Sequence, residues 1–366
     1  MQDSQSALSP QPSAVSRRAR SLPPSPFPLL ASRRGFTLTE LLIVIAIIAV
    51  LAGLIAAAAV NALKRGRQAG VLLEIKNLST AIENFKNETG VYPPNGMNPN
   101  PQNNPPANSP AKLVQSDFQR MIAKAFQGNS EPPVLALALC GQNVGAGTNL
   151  NLEKGMTAAE AVYFWLGGFS SDKKFPISGP GGPSFAVDGP ESGEVLESRT
   201  GGYEFDRGRL GPREEDQFNG RYLLYSVDLN QNGTIDNNAG ENRRINLWQY
   251  NPKGSEQPLI YFDTSRHKPY QYDPYASETA NTIFPFKKVR EGMTTPSTIR
   301  DVAYIDNKYQ ILHCGLDDDW GDFGVSASST TDPDDLVLFP EGPYIGPIAD
   351  TLTNFADGDI ADESEQ

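Results

Sequence analysis

The chain has 366 residues, 39% hydrophobic and 20% charged, enough for one large globular domain or two small ones. Its 31 Lys and Arg against 43 Asp and Glu give a net charge of −12, and no basic block lies beyond the first third, which argues against a protein that reads nucleic-acid phosphates. Two cysteines and two histidines exclude Cys/His-rich zinc modules and multi-disulfide scaffolds, while 33 glycines and 30 prolines make the chain rich in turns.

The first 35 residues are rich in Ser, Pro and Arg, with five arginines (Arg17, Arg18, Arg20, Arg33, Arg34) against one acid, Asp3. They carry no core of their own and have the composition of a targeting leader. Leu41 to Val60 follows, twenty residues without a charge. At about 1.5 Å per residue that run crosses a hydrocarbon core of roughly 30 Å as a helix. A secretory signal peptide is one alternative, but its apolar region normally spans about 7 to 15 residues. An ordinary signal-anchor helix is another, and Arg33 and Arg34 before the run oppose Lys64, Arg65 and Arg67 after it, so charge alone leaves the topology open.

Glu40 stands at the edge of the apolar run, where a carboxylate is costly unless a cation pairs with it. No Lys, Arg or His lies between Phe36 and Lys64, so the cation has to come from elsewhere. Cleavage between Gly35 and Phe36 would create one, the new α-amino group, supplied by a neighbouring copy in a helical array.

The stretch Arg33-Arg34-Gly35-Phe36-Thr37-Leu38-Thr39-Glu40-Leu41-Leu42, continued by Ile43-Val44-Ile45-Ala46-Ile47-Ile48, resembles the class III prepilin signal of type IV pilins and type II secretion pseudopilins. The resemblance implies that a prepilin peptidase cuts after Gly35 and methylates Phe36, and that Glu40 aids filament assembly. A 35-residue leader is long for that family. Past the span, Val71, Ile75, Leu78, Ile82 and Phe85 recur at helical spacing as one apolar stripe, which Gly90 and Tyr92-Pro93-Pro94 end. The region from Glu74 to Pro93 is similar to the same region of the major pseudopilin of type II secretion.

Beyond it, Asn95 to Pro110 has a loop composition. Val114, Phe118, Met121, Ile122 and Ala125 mark an amphipathic helix, and Thr157 with Glu160 makes a capping box for a helix running to Leu166. Its aromatic residues are expected in the core. Ser178 to Gly220 reads as loops, and strand-like runs follow at Tyr222–Val227, Leu259–Phe262, Val302–Ile305 and Tyr309–His313. The expected fold is α+β: a long N-terminal helix, membrane-spanning in its first half, packed on an antiparallel sheet with large loop insertions. The expected divisions are a leader at 1–35, a transmembrane and assembly helix at 36–63, its amphipathic continuation at 64–90 and a globular head at 91–366.

Asp228, Asn230, Asn232 and Asp236 set side-chain oxygens at positions 1, 3, 5 and 9 of a loop turned by Gly233, and the Thr234 carbonyl adds a backbone donor. This is the front half of an EF-hand-like calcium loop, with Ala239 where the bidentate acid belongs and Glu241 two residues later. The alternative is a hydrogen-bonded Asx-rich turn. Major pseudopilins resemble this in having a calcium site in their C-terminal loops. A second acidic run, Asp317-Asp318-Asp319 with Asp322, is a solvated loop or a further metal site. Cys140 and Cys314 are candidates for one disulfide, the alternative being two buried free thiols. His313 and Cys314, as neighbours on a strand, should point to opposite faces and form no catalytic pair. The usual phosphate-loop, nucleophile-elbow and zincin motifs are missing.

The expectation is a non-enzymatic pilin or pseudopilin subunit that spans the inner (cytoplasmic) membrane once, its head in the periplasm or outside. Its partners are homologous subunits, prepilin peptidase, an inner-membrane assembly platform and membrane lipid, with calcium as the cofactor. The leader carries a charge of +4, so its loss takes the chain from −12 to −16. The competing reading is a binding or catalytic domain on an uncleaved anchor helix.

Overall fold

The computed structural model describes residues 35–95, 110–141, 152, 155–188, 201–211, 222–236, 239–265, 283–293, 301–306, 308–321, 323, 337–342, 344 and 346–361. The leader before Gly35 and nearly all of the Asn/Pro-rich segment lie outside the described residues. Helix α1 runs from Leu38 to Thr89, 52 residues. Its stop is local: Gly90 takes φ +79°, where a β-carbon is disfavoured, and its N–H closes on the Lys86 carbonyl at 2.7 Å before the prolines forbid another turn. Among the described residues α1 is the one helix long and apolar enough to cross a membrane. The chain divides after Ala58 into two compact units. In the first, the large apolar side chains from Leu41 to Ile55 are all exposed.

The second unit is α+β. Its helices after α1 are α2 (Pro110–Ala125), α3 (Pro133–Leu139) and α4 (Ala158–Leu166). Strands β1 (Ser184–Ala186), β2 (Leu210–Gly211), β3 (Tyr222–Ser226), β4 (Asn242–Asn246) and β5 (Gln249–Tyr250) precede β6 (Ile260–Asp263). After it come β7 (Lys287–Val289), β8 (Val302–Tyr304), β9 (Tyr309–His313) and β10 (Leu352–Thr353). All pair antiparallel, but not as one sheet. Among the described residues there are two three-stranded sheets, β1-β4-β3 and β10-β9-β6, and two pairs, β2-β5 and β7-β8. Strands of two to five residues separated by glycine- and proline-rich loops are too short to extend one ladder across the head.

The apolar stripe of α1 is the floor of the core: Val71, Ile75, Leu78 and Ile82 are 2% exposed or less, each contributing about 1.5–3 kcal/mol of burial. Phe85 is only half-buried, with its ring edge-on to Trp165 of α4 at 6.0 Å. The Trp165 indole N–H donates to the Pro94 carbonyl at 2.9 Å, tying α4 to the turn after α1. The aromatic face of α4 is core, as its pattern implies.

Polar ties complete the attachment of α1. The Arg209 guanidinium donates to both oxygens of Glu74, at 2.7 and 2.8 Å, and lies 4.8 Å from the centre of the Tyr250 ring. The Tyr250 hydroxyl and the Lys253 N–H also donate to Glu74, each at 3.3 Å. Further along, the Tyr309 hydroxyl donates to the Ser79 carbonyl at 3.3 Å.

Candidate functional site

Gly35 is the first described residue. A β-carbon built on it would meet no heavy atom within 4 Å, and its φ is not in the left-handed range. Nothing among the described residues therefore requires glycine there. Phe36 is 80% exposed. Thr37 opens α1: its carbonyl accepts the first helical bond, from Leu41 N–H at 3.1 Å, and its Oγ1 accepts from Glu40 N–H at 3.2 Å. In return Glu40 Oε2 accepts from the Thr37 N–H and from its hydroxyl, both at 2.9 Å.

These reciprocal bonds are a capping box, Thr37-Leu38-Thr39-Glu40, and the carboxylate sits at the favourable end of the helix dipole. Charge reasoning had given Glu40 no partner within its own chain, and here it has one, made of hydrogen bonds rather than a cation. The other oxygen, Oε1, accepts no bond among the described residues. One side of the carboxylate fixes the helix start and the other is open to a partner.

The Asp228 loop joins β3 to β4. The Asp228 carboxylate accepts from Asn232 N–H at 3.1 Å and Gly233 N–H at 2.7 Å, and Asn230 Oδ1 accepts from Asn232 N–H at 2.9 Å. Asn232 Oδ1 takes the N–H and hydroxyl of Thr234 at 2.8 and 2.7 Å. Gln231 and Gly233 adopt φ of +58° and +86°, which bends the loop. Sequence reasoning missed the role of Glu241. It is 1% exposed and accepts from Leu229, Asn230 and Asp236 N–H at 3.1, 3.3 and 2.7 Å.

These bonds account for the turn by themselves. The Asp228 and Asn230 oxygens each accept one bond and keep a second lone pair, whereas Asn232 Oδ1 accepts two from Thr234 and would have to release one to bind an ion; an all-oxygen set of carboxylate, amide and carbonyl donors suits a hard cation. The donor chemistry of Asp228, Asn230, Asn232, Thr234 and Asp236 thus fits calcium. Glu241, spent on three backbone donors, orders the loop and does not replace the bidentate acid missing at Ala239.

Cys140 and Cys314 are free thiols, both at 0% exposure. The disulfide alternative gives way to two buried thiols, one capping the C-terminus of α3 and the other just past β9 in the core. Burial pushes both thiols up, out of the range in which a thiolate forms at neutral pH.

His313 and Cys314 also differ from expectation. Cys314 lies one residue past the strand end, where Gly315 turns with φ +97°, and the ligand atoms of His313, Cys314 and Asp318 lie within 4.8 Å of one another. Among the described residues this is the one group of His, Cys, Asp or Glu side chains so close. Its hydrogen bonds define its chemistry. Gly315 N–H donates to His313 Nδ1 at 3.1 Å, so the neutral ring carries its proton on Nε2, 2.9 Å from Ser255 Oγ. The Ser255 hydroxyl donates in turn to Asp318 Oδ1, which also accepts the Glu256 N–H at 3.0 Å.

The proton order runs from His to Ser to Asp, the reverse of a serine activated by a histidine base. Burial lowers His313 to about 4, keeping the ring neutral. His313, Ser255 and Asp318 each have a partner, and their chain of bonds closes the turn after β9.

A fourth feature lies on the α1 face just before the buried stripe. Asn61, Lys64, Arg65 and Gln68 form one wall of an open cleft of about 650 Å3, and Leu316, Asp317 and Asp350 form the other. Asp350 Oδ2 accepts the Leu316 N–H at 3.3 Å, while Oδ1 is buried and has no hydrogen-bond partner among the described residues. Burial, reinforced by Asp317, raises Asp350 to about 6.

Comparison with known families finds the prokaryotic N-terminal methylation motif at residues 30–56. No curated protein and no solved structure matches the chain. The matched stretch contains Gly35, Phe36, the capping box and most of the apolar run, through Ala56. It is the motif of a type IV pilin-like prepilin-peptidase substrate, and with a single apolar helix it fits membrane anchoring. A methylation motif followed by a long apolar helix and an α+β head makes this chain fit the type IV pilin and pseudopilin-like family.

Proposed function

We propose that the protein is a non-enzymatic structural subunit of a type II secretion pseudopilus or a type IV pilus-like filament. It is cut after Gly35, methylated on Phe36, held in the inner membrane by α1 with its head in the periplasm, and passed to the filament by an assembly platform. The observation that carries this reading is the N-terminal segment: an uncrowded Gly35, an exposed Phe36 and a Glu40 with one oxygen capping the helix and the other open. In a helical array that open oxygen meets the Phe36 ammonium of a neighbouring copy, a charge-assisted pair formed where apolar helices exclude water. The test is mass spectrometry of the N-terminal peptide from the membrane-extracted protein. A peptide beginning at N-methylated Phe36 is expected; one retaining Arg33 to Gly35 would leave a plain anchor and sink the filament reading.

We also propose calcium as the ligand of the Asp228 loop, held by Asp228, Asn230, Asn232, Asp236 and the Thr234 carbonyl. It would offset the local repulsion of a chain that carries −16 once the leader is gone.

A further inference from the structure

The cleft between α1 and the loops after β9 has walls of opposite charge that do not satisfy each other. Asn61, Lys64, Arg65 and Gln68 recur at i, i+3, i+4 and i+7, one face of the helix, and the uncharged run of α1 ends immediately before Lys64. Lys64 and Arg65 are exposed and form no ion pair among the described residues. Across the cleft Asp350 keeps a buried oxygen without a hydrogen-bond partner among the described residues, beside Asp317. A half-buried carboxylate next to another lacks a cationic donor, and burial with Asp317 raises Asp350 to about 6 for that reason. An opening of about 650 Å3 keeps the two walls apart and leaves room for one small bipolar group.

We propose that this cleft binds a phosphoethanolamine headgroup, with its phosphate on Lys64 and Arg65 and its primary ammonium on Asp317 and Asp350. A primary ammonium brings three N–H donors to the two carboxylates; a quaternary choline brings none. The sequence places the site at headgroup depth, because Lys64 follows directly on the segment that crosses the hydrocarbon. Asn61 adds a neutral donor to the phosphate side, while the Gln68 amide N–H already donates to Asp359 Oδ2 at 3.4 Å. The same chemistry is offered by a membrane phospholipid and by a soluble phosphoethanolamine ester.

The inference rests on the membrane-anchored reading of α1. Its test uses the whole mature chain in nanodiscs of equal phosphatidylethanolamine, phosphatidylcholine and phosphatidylglycerol, released for native mass spectrometry of retained lipid. Phosphatidylethanolamine is expected to be retained about tenfold over each of the others, the scale of one charge-assisted hydrogen bond. Asp350→Asn keeps the acceptor for Leu316 N–H and should abolish the preference over phosphatidylcholine, while Lys64→Gln with Arg65→Gln should lower retention of all three lipids.

Equal retention of the three lipids, or a preference for phosphatidylglycerol, would overturn the proposal, as would an Asp350→Asn chain that keeps the wild-type pattern. Soluble glycerophosphoethanolamine that displaces the lipid supports headgroup recognition; lipid that resists a large excess of it is held by its acyl chains, and the cleft is then not its site. The protein mass in the same spectra reports whether the chain begins at methylated Phe36, so a failure of filament-type processing is read separately from a failure of the cleft.

Discussion

Two capping boxes with the same Thr-x-x-Glu spelling open two helices of this protein, and their bonds are almost superimposable. Thr37 N–H meets Glu40 at 2.9 Å and Thr157 N–H meets Glu160 at 2.8 Å; the returning bonds to the threonine hydroxyls are both 3.2 Å. Their surroundings are opposite. Glu160 is 1% exposed and lies in the head core, whereas Glu40 is exposed on a segment whose apolar side chains are also exposed. The inner box is complete within one molecule. The outer one solves the backbone problem of a helix start and leaves an anionic oxygen facing outward at the edge of the apolar run.

Substitutions that separate acceptor from charge test this contrast. Glu40→Gln keeps an oxygen for the Thr37 N–H but removes the anion; sheared filament should fall at least about tenfold, with thermal melting of the head unchanged. Filament at wild-type yield would show that the cap alone suffices. Glu160→Ala, by contrast, strips buried donors of their acceptor and should cost about 2–3 kcal/mol in denaturant unfolding. Chelation of calcium should lower the melting temperature by about 2–4 °C, and an unchanged curve would leave the Asp228 loop as a turn closed by Glu241. Glu160→Gln should be the mildest, under about 1 kcal/mol, because the amide preserves the box.

Asp350 gives a pH test with a definite sign. Its folded value, about 6, lies above the ordinary 3.8, so the folded state holds its proton more tightly. The stability this contributes is complete below about 3.8 and is lost as the pH rises through about 6. The difference in melting temperature between wild type and Asp350→Asn should therefore shift against the wild type across that window. A constant difference would mean that the carboxyl is not perturbed.

Much of the α-helical frame was legible in the residues. Val71, Ile75, Leu78 and Ile82 form the buried stripe their spacing implies, and Thr157 caps the helix its pattern announces. What escaped had physical causes. Strand β4 is Asn-Arg-Arg-Ile-Asn, and one of its two buried positions is Arg243, whose guanidinium is satisfied by the Ser184 hydroxyl and carbonyl and the Gly240 carbonyl. A hydrophobic alternation cannot reveal a strand that buries an arginine. Helix α3 is a seven-residue apolar run, too short for periodicity to separate helix from strand. The Thr37 box has the same spelling as the one at Thr157, but in that stretch the prepilin resemblance and the missing cation gave Glu40 a role in assembly and hid its role as a cap. Ser255 and Asp318 join His313 from 58 and 5 positions away, a meeting that no spacing rule announces.

The carboxylate of Glu74 has a mechanical meaning. It collects two bonds from Arg209, one from Tyr250 and one from the Lys253 backbone. Side chains that only pack can slide past one another when a helix is drawn along its axis, but one carboxylate held by the Arg209 Nη1, a tyrosine hydroxyl and a backbone N–H resists shear in a fixed direction. Tension applied along α1 is thus delivered to the backbone around β2 and β5 at a defined point, and handle and load travel together.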